Sequence, residues 1–383
     1  MLRSWGESRV GGSVTRVSPF GLSSNCRRAG ARRCRVALAL VAALASAAFA
    51  SCAEGAAAPG QVAGGSEIPI AEQVEAHKQA LTRATEAVLG VEATAVEDAR
   101  SISTLGRMRQ GSGVLIGDDG LVLTIGYLIL EADHVDLVQG SGRRVPARVV
   151  SYDLASGFGL LQALAPLGLA PVPLGTSSAV ADDEPLMVAS GGDDGDLSLA
   201  HMVSRRPFSG YWEYHIDDAL VTVPVRTDHS GAGLFNANGE LVGIGSLVVG
   251  DASGGAGPAV RGNMFVPVDL LKPILTEMRT RGVLQRSARA WLGLNCVEYG
   301  GHVRVIRLAQ ESPAEEAGLQ PGDLIVAIDG IEVADLASFY KTLWRGERAE
   351  RDVTLEIRRG GETLRVQVHA VDRMQTMRRP QGV

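Results

Sequence analysis

The chain has 383 residues, with 43 acidic and 37 basic side chains and a formal net charge of −6 at pH 7. Eight arginines and one glutamate lie in residues 1–35, so the remainder is strongly acidic and a poor candidate for nucleic-acid binding. Aromatic residues make up only 4% and there are 47 glycines, which favours β-rich folds with many turns over a helical bundle. The length allows two or three domains.

An export signal is predicted at the N-terminus, in residues 1–52. An Arg-rich segment precedes an apolar run of 15 residues, 36–50, which is shorter than a membrane-spanning helix needs and typical of a signal-peptide core. Residues 49–52 fit loosely the lipobox of bacterial lipoproteins, so Cys52 is a candidate lipidation site, with plain secretion as the alternative. The Ala- and Gly-rich residues 53–69 are predicted to be a flexible linker.

Neither a disulfide framework nor a metal site is predicted. Cys296 and Cys52 are the cysteines that an exported form would keep, which is too few to staple a fold. The seven histidines are scattered, without the spacing of a CxxC or HExxH motif. We therefore expect no cofactor and no metal.

After the linker, a helix is predicted over residues 70–87, because Ile70, Val74 and Leu81 recur at helical spacing. The following pattern is of short strands separated by turns, which is typical of closed β-barrels. The first series of predicted strands covers residues 88–96, 112–117, 121–124, 135–138, 145–150, 159–161 and 172–174. The second covers residues 185–189, 197–200, 211–215, 220–223, 241–249 and 263–268, and a closing helix is predicted over 270–279.

A loop of small residues, 227–236, holds Ser230 between an apolar run and a hairpin. This loop resembles the nucleophile loop of trypsin-like serine proteases of the HtrA/Deg group. Residues 111–124, 172–175 and 264–267 resemble that group's Gly-Ser-Gly-Val hairpin, Pro-Leu-Gly strand end and Phe-Ala-Ile-Pro strand. The resemblance implies a trypsin-like double β-barrel over residues 70–279, with Ser230 at the nucleophile position.

A second unit follows a linker at residues 280–290. Residues 312–330 closely resemble the bacterial PDZ signature, and a helical run at 336–343 and strands at 353–357 and 363–368 come after it. The expected PDZ domain covers residues 291–372, with a tail at 373–383. The predicted fold class is therefore mainly β: a trypsin-like double β-barrel followed by an α/β PDZ domain.

The other catalytic positions of the family are changed. A serine hydroxyl needs a base to take its proton and a carboxylate to orient that base. Tyr127 stands at the base position, Gly157 at the acid position and Asp228 at an oxyanion position, where its negative charge is expected to oppose a developing oxyanion. His229 is not expected to substitute, because neighbouring side chains in an extended loop point apart.

We interpret the chain as an exported pseudoprotease in which Ser230 is a vestigial nucleophile. An active serine endopeptidase with an atypical base is one alternative, and a passive envelope scaffold is another. The expected location is the periplasm, either free or anchored to the membrane through a lipid on Cys52. The sequence does not determine the oligomeric state, and a homo-oligomer is compatible with it.

The remaining function is expected in the PDZ domain, whose partners would be unfolded polypeptide segments or protein C-termini in envelope quality control. The resemblance implies that Trp291, Leu292, Gly293 and Leu294 form the loop that captures a terminal carboxylate. Gly293→Glu is therefore expected to block capture. Phe339, Tyr340 and Leu343 lie on the helix expected to wall the groove, with core packing as the alternative reading of these three.

Overall fold

A computed structural model describes residues 70–182, 184–255, 258–281, 289–346 and 348–378. The predicted fold class is confirmed: two closed six-stranded barrels precede a PDZ domain. The signal segment, the 53–69 linker and Cys52 lie outside the described residues, so the predictions for them stay predictions.

The first barrel is closed in the order β1-β2-β3-β6-β5-β4. Its interior is apolar, and all five residues of β3 are buried. The predicted N-terminal helix, α1, packs on it through Leu81 and Ala84. The elements of this part are α1 Ile70–Glu86, β1 Val88–Ala95, α2 Ile102–Leu105, β2 Met108–Leu115, β3 Leu121–Ile125, β4 Ala132–Val138, β5 Arg144–Tyr152 and β6 Phe158–Ala163.

The second barrel is closed in the order β10-β11-β12-β9-β8-β7. Its elements are β7 Pro185–Ala189, β8 Leu197–Gly210, β9 Tyr214–Val223, β10 Gly233–Phe235, β11 Leu241–Val249, β12 Gly262–Pro267 and the helix α3 Leu275–Arg281.

Three local predictions are wrong for identifiable reasons. The expected strand at 172–174 is only a bridge between Leu174 and Leu241. The expected strand at 211–215 is split, since residues 211–213 form the turn between β8 and β9. The closing helix starts late, at Leu275, after a 3₁₀ turn, because Pro273 has no backbone N–H and disfavours helical geometry in the residue before it.

The PDZ domain is a sheet in the order β13-β19-β18-β16-β15-β14, with β17 paired to β16. Helix α5 starts at a capping box, in which the Asp335 carboxylate accepts from the Ser338 amide at 2.7 Å. The elements are β13 Ala290–Trp291, β14 Leu294–Tyr299, β15 His302–Leu308, α4 Pro313–Glu316, β16 Leu324–Ile328, β17 Ile331–Glu332, α5 Leu336–Leu343, β18 Arg351–Arg359, β19 Glu362–Asp372 and α6 Arg373–Thr376.

Candidate active site and peptide groove

Ser230 lies in the loop between β9 and β10, where the two barrels meet. Its carbonyl oxygen accepts a hydrogen bond from the Ser112 amide of the first barrel at 2.8 Å. The next residue, Gly231, has φ +74°, and a Cβ there would lie 1.9 Å from the Ser112 carbonyl oxygen. Only glycine fits such a position. The loop is therefore fixed against both barrels, and the Ser230 hydroxyl is held in place.

Tyr127 is the residue that meets this hydroxyl. It sits in the 3₁₀ turn Gly126–Leu128 that follows β3. Its Oη lies 2.7 Å from Ser230 Oγ and 2.8 Å from the carbonyl oxygen of Ser246. Because a carbonyl can only accept, the single phenol proton is best placed on Ser246, which leaves the Ser230 hydroxyl to donate to the phenol oxygen.

This arrangement orients the Ser230 proton without removing it. Burial raises the pKa of Tyr127 to about 12, and the hydrogen bond with Ser230 lowers it only in part. At pH 7 about one molecule in 10⁵ would then carry a phenolate. A neutral phenol is a far weaker base than imidazole, so Tyr127 acts here as a hydrogen-bond partner of Ser230.

The acid position carries no carboxylate. Gly157 has φ +83°, donates its amide to the carbonyl of Asp153 and places its own carbonyl 2.6 Å from the Gly126 amide. A Cβ on Gly157 would lie 3.4 Å from the ring of Tyr214. Asp153 itself is buried and accepts from the amide and hydroxyl of Ser156. Its carboxylate therefore closes a turn between β5 and β6.

The Asp228 charge is paired within the loop. The Asp228 carboxylate accepts from Arg226 through Nε at 3.0 Å and through Nη2, and also from the Ser190 hydroxyl at 2.5 Å. Burial raises the pKa of Asp228, but these hydrogen bonds outweigh it and hold the pKa below its usual value. The Asp228 charge is therefore paired with Arg226, and it still lies in the loop that would have to bind an oxyanion.

The ion pair could have been found in the sequence, because Arg226 and Asp228 are two residues apart and such neighbours share one side of an extended chain. The Arg226 guanidinium is further held by the Ser198 hydroxyl at 2.6 Å. His229 points elsewhere, with Nδ1 3.1 Å from the Arg226 carbonyl oxygen.

In the PDZ domain, residues 291–294 form a tight bend before β14, which we call the carboxylate loop. Gly293 has φ +84°, and a Cβ there would lie 2.2 Å from the Ser312 Cβ. Ser312 in turn caps α4 by accepting from the Glu315 amide at 3.3 Å. A side chain at position 293 would therefore disrupt the loop itself. The Gly293→Glu change cannot serve as a selective block of ligand binding.

The amides of the carboxylate loop point at a carboxylate of this same chain, that of Glu213. The Leu294 amide donates to Glu213 Oε1 at 2.8 Å, and the Leu292 amide donates to Oε2 at 3.1 Å. Glu213 belongs to residues 210–213, the end of β8 and its turn into β9, which we call the insertion turn. Two sequence-distant segments are thus joined by hydrogen bonds from backbone amides to one side-chain carboxyl group.

Further contacts run along the same groove. The Cys296 amide of β14 donates to the Tyr211 carbonyl at 2.9 Å. On α5, the Tyr340 hydroxyl donates to the Gly210 carbonyl at 2.7 Å and accepts from the Glu213 amide at 3.2 Å. The insertion turn therefore makes hydrogen bonds both to the edge strand and to the helix.

The expected groove-wall residues Phe339 and Leu343 are fully buried in the apolar core of the PDZ domain. They pack there with Leu292 and Leu294 of the carboxylate loop, which are also buried, while Trp291 is 9% exposed. The polar contacts to the insertion turn come from Tyr340 instead.

The electrostatics of Glu213 differ from those of a surface glutamate. Burial raises its pKa to about 7, although the amides of Leu294, Leu292 and Gly293 and the nearby charge of Arg373 lower it in part. Glu213 also has φ +59°, a conformation that residues other than glycine rarely adopt. Nothing local in the sequence indicated this role, because the partners lie about 80 residues further along the chain.

The described ranges contain neither a helix long and apolar enough to cross a membrane nor a cluster of three or more metal-ligating side chains.

Comparison with known proteins agrees with this architecture. The family described as "Trypsin-like peptidase domain" matches residues 111–244, and the family described as "PDZ domain" matches residues 290–370. A "Probable periplasmic serine endoprotease DegP-like" of Hahella chejuensis is 27% identical over 266 residues, covering 66% of this chain and 55% of its own. The protein of the same name in Ectopseudomonas mendocina is 27% identical over 268 residues, covering 65% and 55%.

Among solved structures, a variant of the HtrA-type protease AlgW with a tripeptide superposes with a TM-score of 0.50 at 20% identity, over 78% of this chain and 97% of that one. The chain spans about half the length of the curated relatives it matches.

Fold and site together define a trypsin-like barrel pair joined to a PDZ domain. More narrowly, residues 111–244 match a trypsin-like peptidase domain and residues 290–370 match a PDZ domain, in the order found in the HtrA/DegP-type proteins that the chain is similar to.

Proposed function

We propose that this protein is an exported HtrA/DegP-like pseudoprotease that binds unfolded or C-terminal peptide segments through its PDZ domain, in periplasmic protein quality control. The observation that carries the loss of catalysis is the 2.7 Å contact of Tyr127 Oη with Ser230 Oγ. A protonated phenol occupies the place where a base would have to take the serine proton.

Two further features support the absence of acyl transfer. Gly157 has no carboxylate to orient a base. Its φ of +83° is also unfavourable for an aspartate at this position. One of the two amides that would form the oxyanion hole is that of Asp228, whose carboxylate lies in the same loop and is paired with Arg226. Triad removal lowers turnover by roughly 10⁴- to 10⁶-fold in serine proteases, which is enough to leave no useful activity.

Peptide capture is supported by the contacts of the carboxylate loop. The Leu292 and Leu294 amides converge on one carboxylate, that of Glu213, at 3.1 and 2.8 Å. The same donors suit the terminal carboxylate of a peptide, whose backbone would extend the sheet at β14. The loop is thus chemically selective for a carboxylate and makes no contact that selects a sequence.

The location rests on the predicted export signal and on relatives named as periplasmic serine endoproteases. The chain spans about half the length of those relatives, and their protease activity is not part of the proposed function. The membrane tether through Cys52 stays a separate prediction.

An array of decapeptides of varied sequence tests capture, each peptide being presented once with a free C-terminal carboxylate and once amidated. Loss of hydrogen bonds to a charged acceptor costs on the order of 1.5–3 kcal/mol, so amidation is expected to weaken binding roughly ten- to hundredfold. Each amidated peptide is the matched control for its free acid. Equal binding of the two forms would show that the PDZ domain does not capture C-termini.

A further inference from the structure

The insertion turn contacts the PDZ domain as a bound peptide would. When a peptide adds to a sheet edge, its backbone pairs with the edge strand while its end group enters the neighbouring loop. Here the Tyr211 carbonyl pairs with the Cys296 amide, and Glu213, two residues further on, places its carboxylate in the carboxylate loop. The chain supplies both interactions from its own barrel domain.

The helix side of the groove holds the same turn. The Tyr340 hydroxyl bridges the Gly210 carbonyl and the Glu213 amide. One residue along α5, Lys341 forms an ion pair with Asp217 of β9 at 2.5 Å. Contacts on both walls of the groove therefore fix the insertion turn between β14 and α5.

The backbone conformation of Glu213 also indicates that surrounding contacts hold the insertion turn in place. Its φ of +59° is unfavourable for a side chain that is neither glycine nor asparagine. Such conformations persist where the surrounding contacts impose them. The hydrogen bonds at the Glu213 amide and carboxylate supply that constraint.

We propose that the insertion turn is an intramolecular ligand of the PDZ groove, with the Glu213 carboxylate in the place of a peptide C-terminus. A C-terminal peptide binds only after displacing this turn. The inference rests on the proposed function, since it names how the same groove is regulated. The apparent affinity for a peptide is then the intrinsic affinity reduced by the fraction of molecules whose groove is open.

The decisive variant is Glu213→Asn. Asparagine tolerates positive φ, and its side chain is shorter and uncharged, so the turn keeps its shape but leaves the carboxylate loop. Glu213→Gly is a second variant that suits the same backbone. Tyr211→Ala is the matched control, because the Tyr211 ring is half exposed and packs edge-on against Trp212, while the hydrogen bond to the Cys296 amide uses its backbone carbonyl.

Two measurements are made on the mature protein. The first is residue-level hydrogen exchange of the Leu292 and Leu294 amides, expected to be at least tenfold faster in Glu213→Asn and Glu213→Gly than in the unmodified protein and Tyr211→Ala. The second is titration of the best-binding free-acid decapeptide from the array, expected to bind about tenfold or more tightly to the two Glu213 variants.

The outcomes separate this inference from the proposed function. Unchanged exchange at Leu292 and Leu294 overturns the intramolecular ligand, whatever the peptides do. Faster exchange with peptides that bind without regard to their C-terminal carboxylate supports the intramolecular ligand and overturns C-terminal capture. If the two amides exchange faster in the Glu213 variants but the free-acid peptide binds all variants with equal affinity, the turn and the peptide do not compete for the groove.

Discussion

Casein hydrolysis by the Tyr127→His variant is expected to stay within about tenfold of the Ser230→Ala background, and adding Gly157→Asp is expected to bring no recovery. An imidazole without an orienting carboxylate loses about 10⁴-fold in a serine protease. At position 157 an Asp would have to adopt φ +83°, a strained conformation for a residue with a side chain, so the carboxylate would not be held where a base needs it. The Asp228 carboxylate would still lie in the loop that has to bind the oxyanion.

The comparison needs four proteins assayed together: Tyr127→His, the double variant, the unmodified protein and Ser230→Ala. Thermal unfolding of each controls for a general loss of fold. Recovery of hydrolysis in the double variant, abolished again by Ser230→Ala, would contradict the reasons given for Gly157 and Asp228.

Peptide binding is expected to strengthen as the pH rises from 5 to 8. Glu213 has a pKa of about 7 in the closed groove because burial disfavours its charge, whereas in an open groove its pKa would fall towards the ordinary 4.5. The closed state therefore binds the proton more tightly, is favoured in acid, and loses its advantage as pH rises through 7. These two pKa values give a change in apparent affinity on the order of thirty- to hundredfold.

The groups around Glu213 do not reverse this sign. The nearby charge of Arg373 is already included among the causes that lower the pKa of Glu213. Burial raises the pKa of both Cys296 and Tyr340, so neither ionises in this range. His215 lies on the adjoining strand, where burial lowers its pKa. Its protonation would oppose the closed state, but only at the acid end of the range.

The pH series is run by titration of one free-acid decapeptide, whose own terminal carboxylate stays ionised above pH 5. Glu213→Asn is the matched control and is expected to show a nearly flat profile. A steep profile in that variant would place the titrating group elsewhere, and a flat profile in the unmodified protein would contradict the pKa of Glu213 as its source.

Local patterns predicted most of the fold, because the strands are short, apolar and bounded by turn residues. The helix predicted at 70–87 is Ile70–Glu86, and the strand predicted at 185–189 is Pro185–Ala189. Errors occurred where a single residue overrides the pattern, as Pro273 does in the closing helix. They also occurred where a segment is used by another domain, as in residues 211–213.

The sequence predicted the candidate site only at positions within segments that resemble a known family. Tyr127 could be placed opposite Ser230 because both lie in segments that resemble a known family. The spacing of Arg226 and Asp228 indicates their ion pair, whereas the contact of Asp228 with Ser190 required the three-dimensional structure. The role of Glu213 depends on a contact across about 80 residues, and no periodicity or motif encodes such a contact.

Intact-mass spectrometry after incubation with a fluorophosphonate probe tests the central claim most directly. This reagent forms a covalent adduct with a serine hydroxyl only when that hydroxyl is activated as a nucleophile. We expect an unchanged mass, identical to that of Ser230→Ala treated in the same way, while an active trypsin-like protease in a parallel reaction is labelled. A stoichiometric adduct that maps to Ser230 would show that the serine is activated despite Tyr127, and would contradict the pseudoprotease assignment.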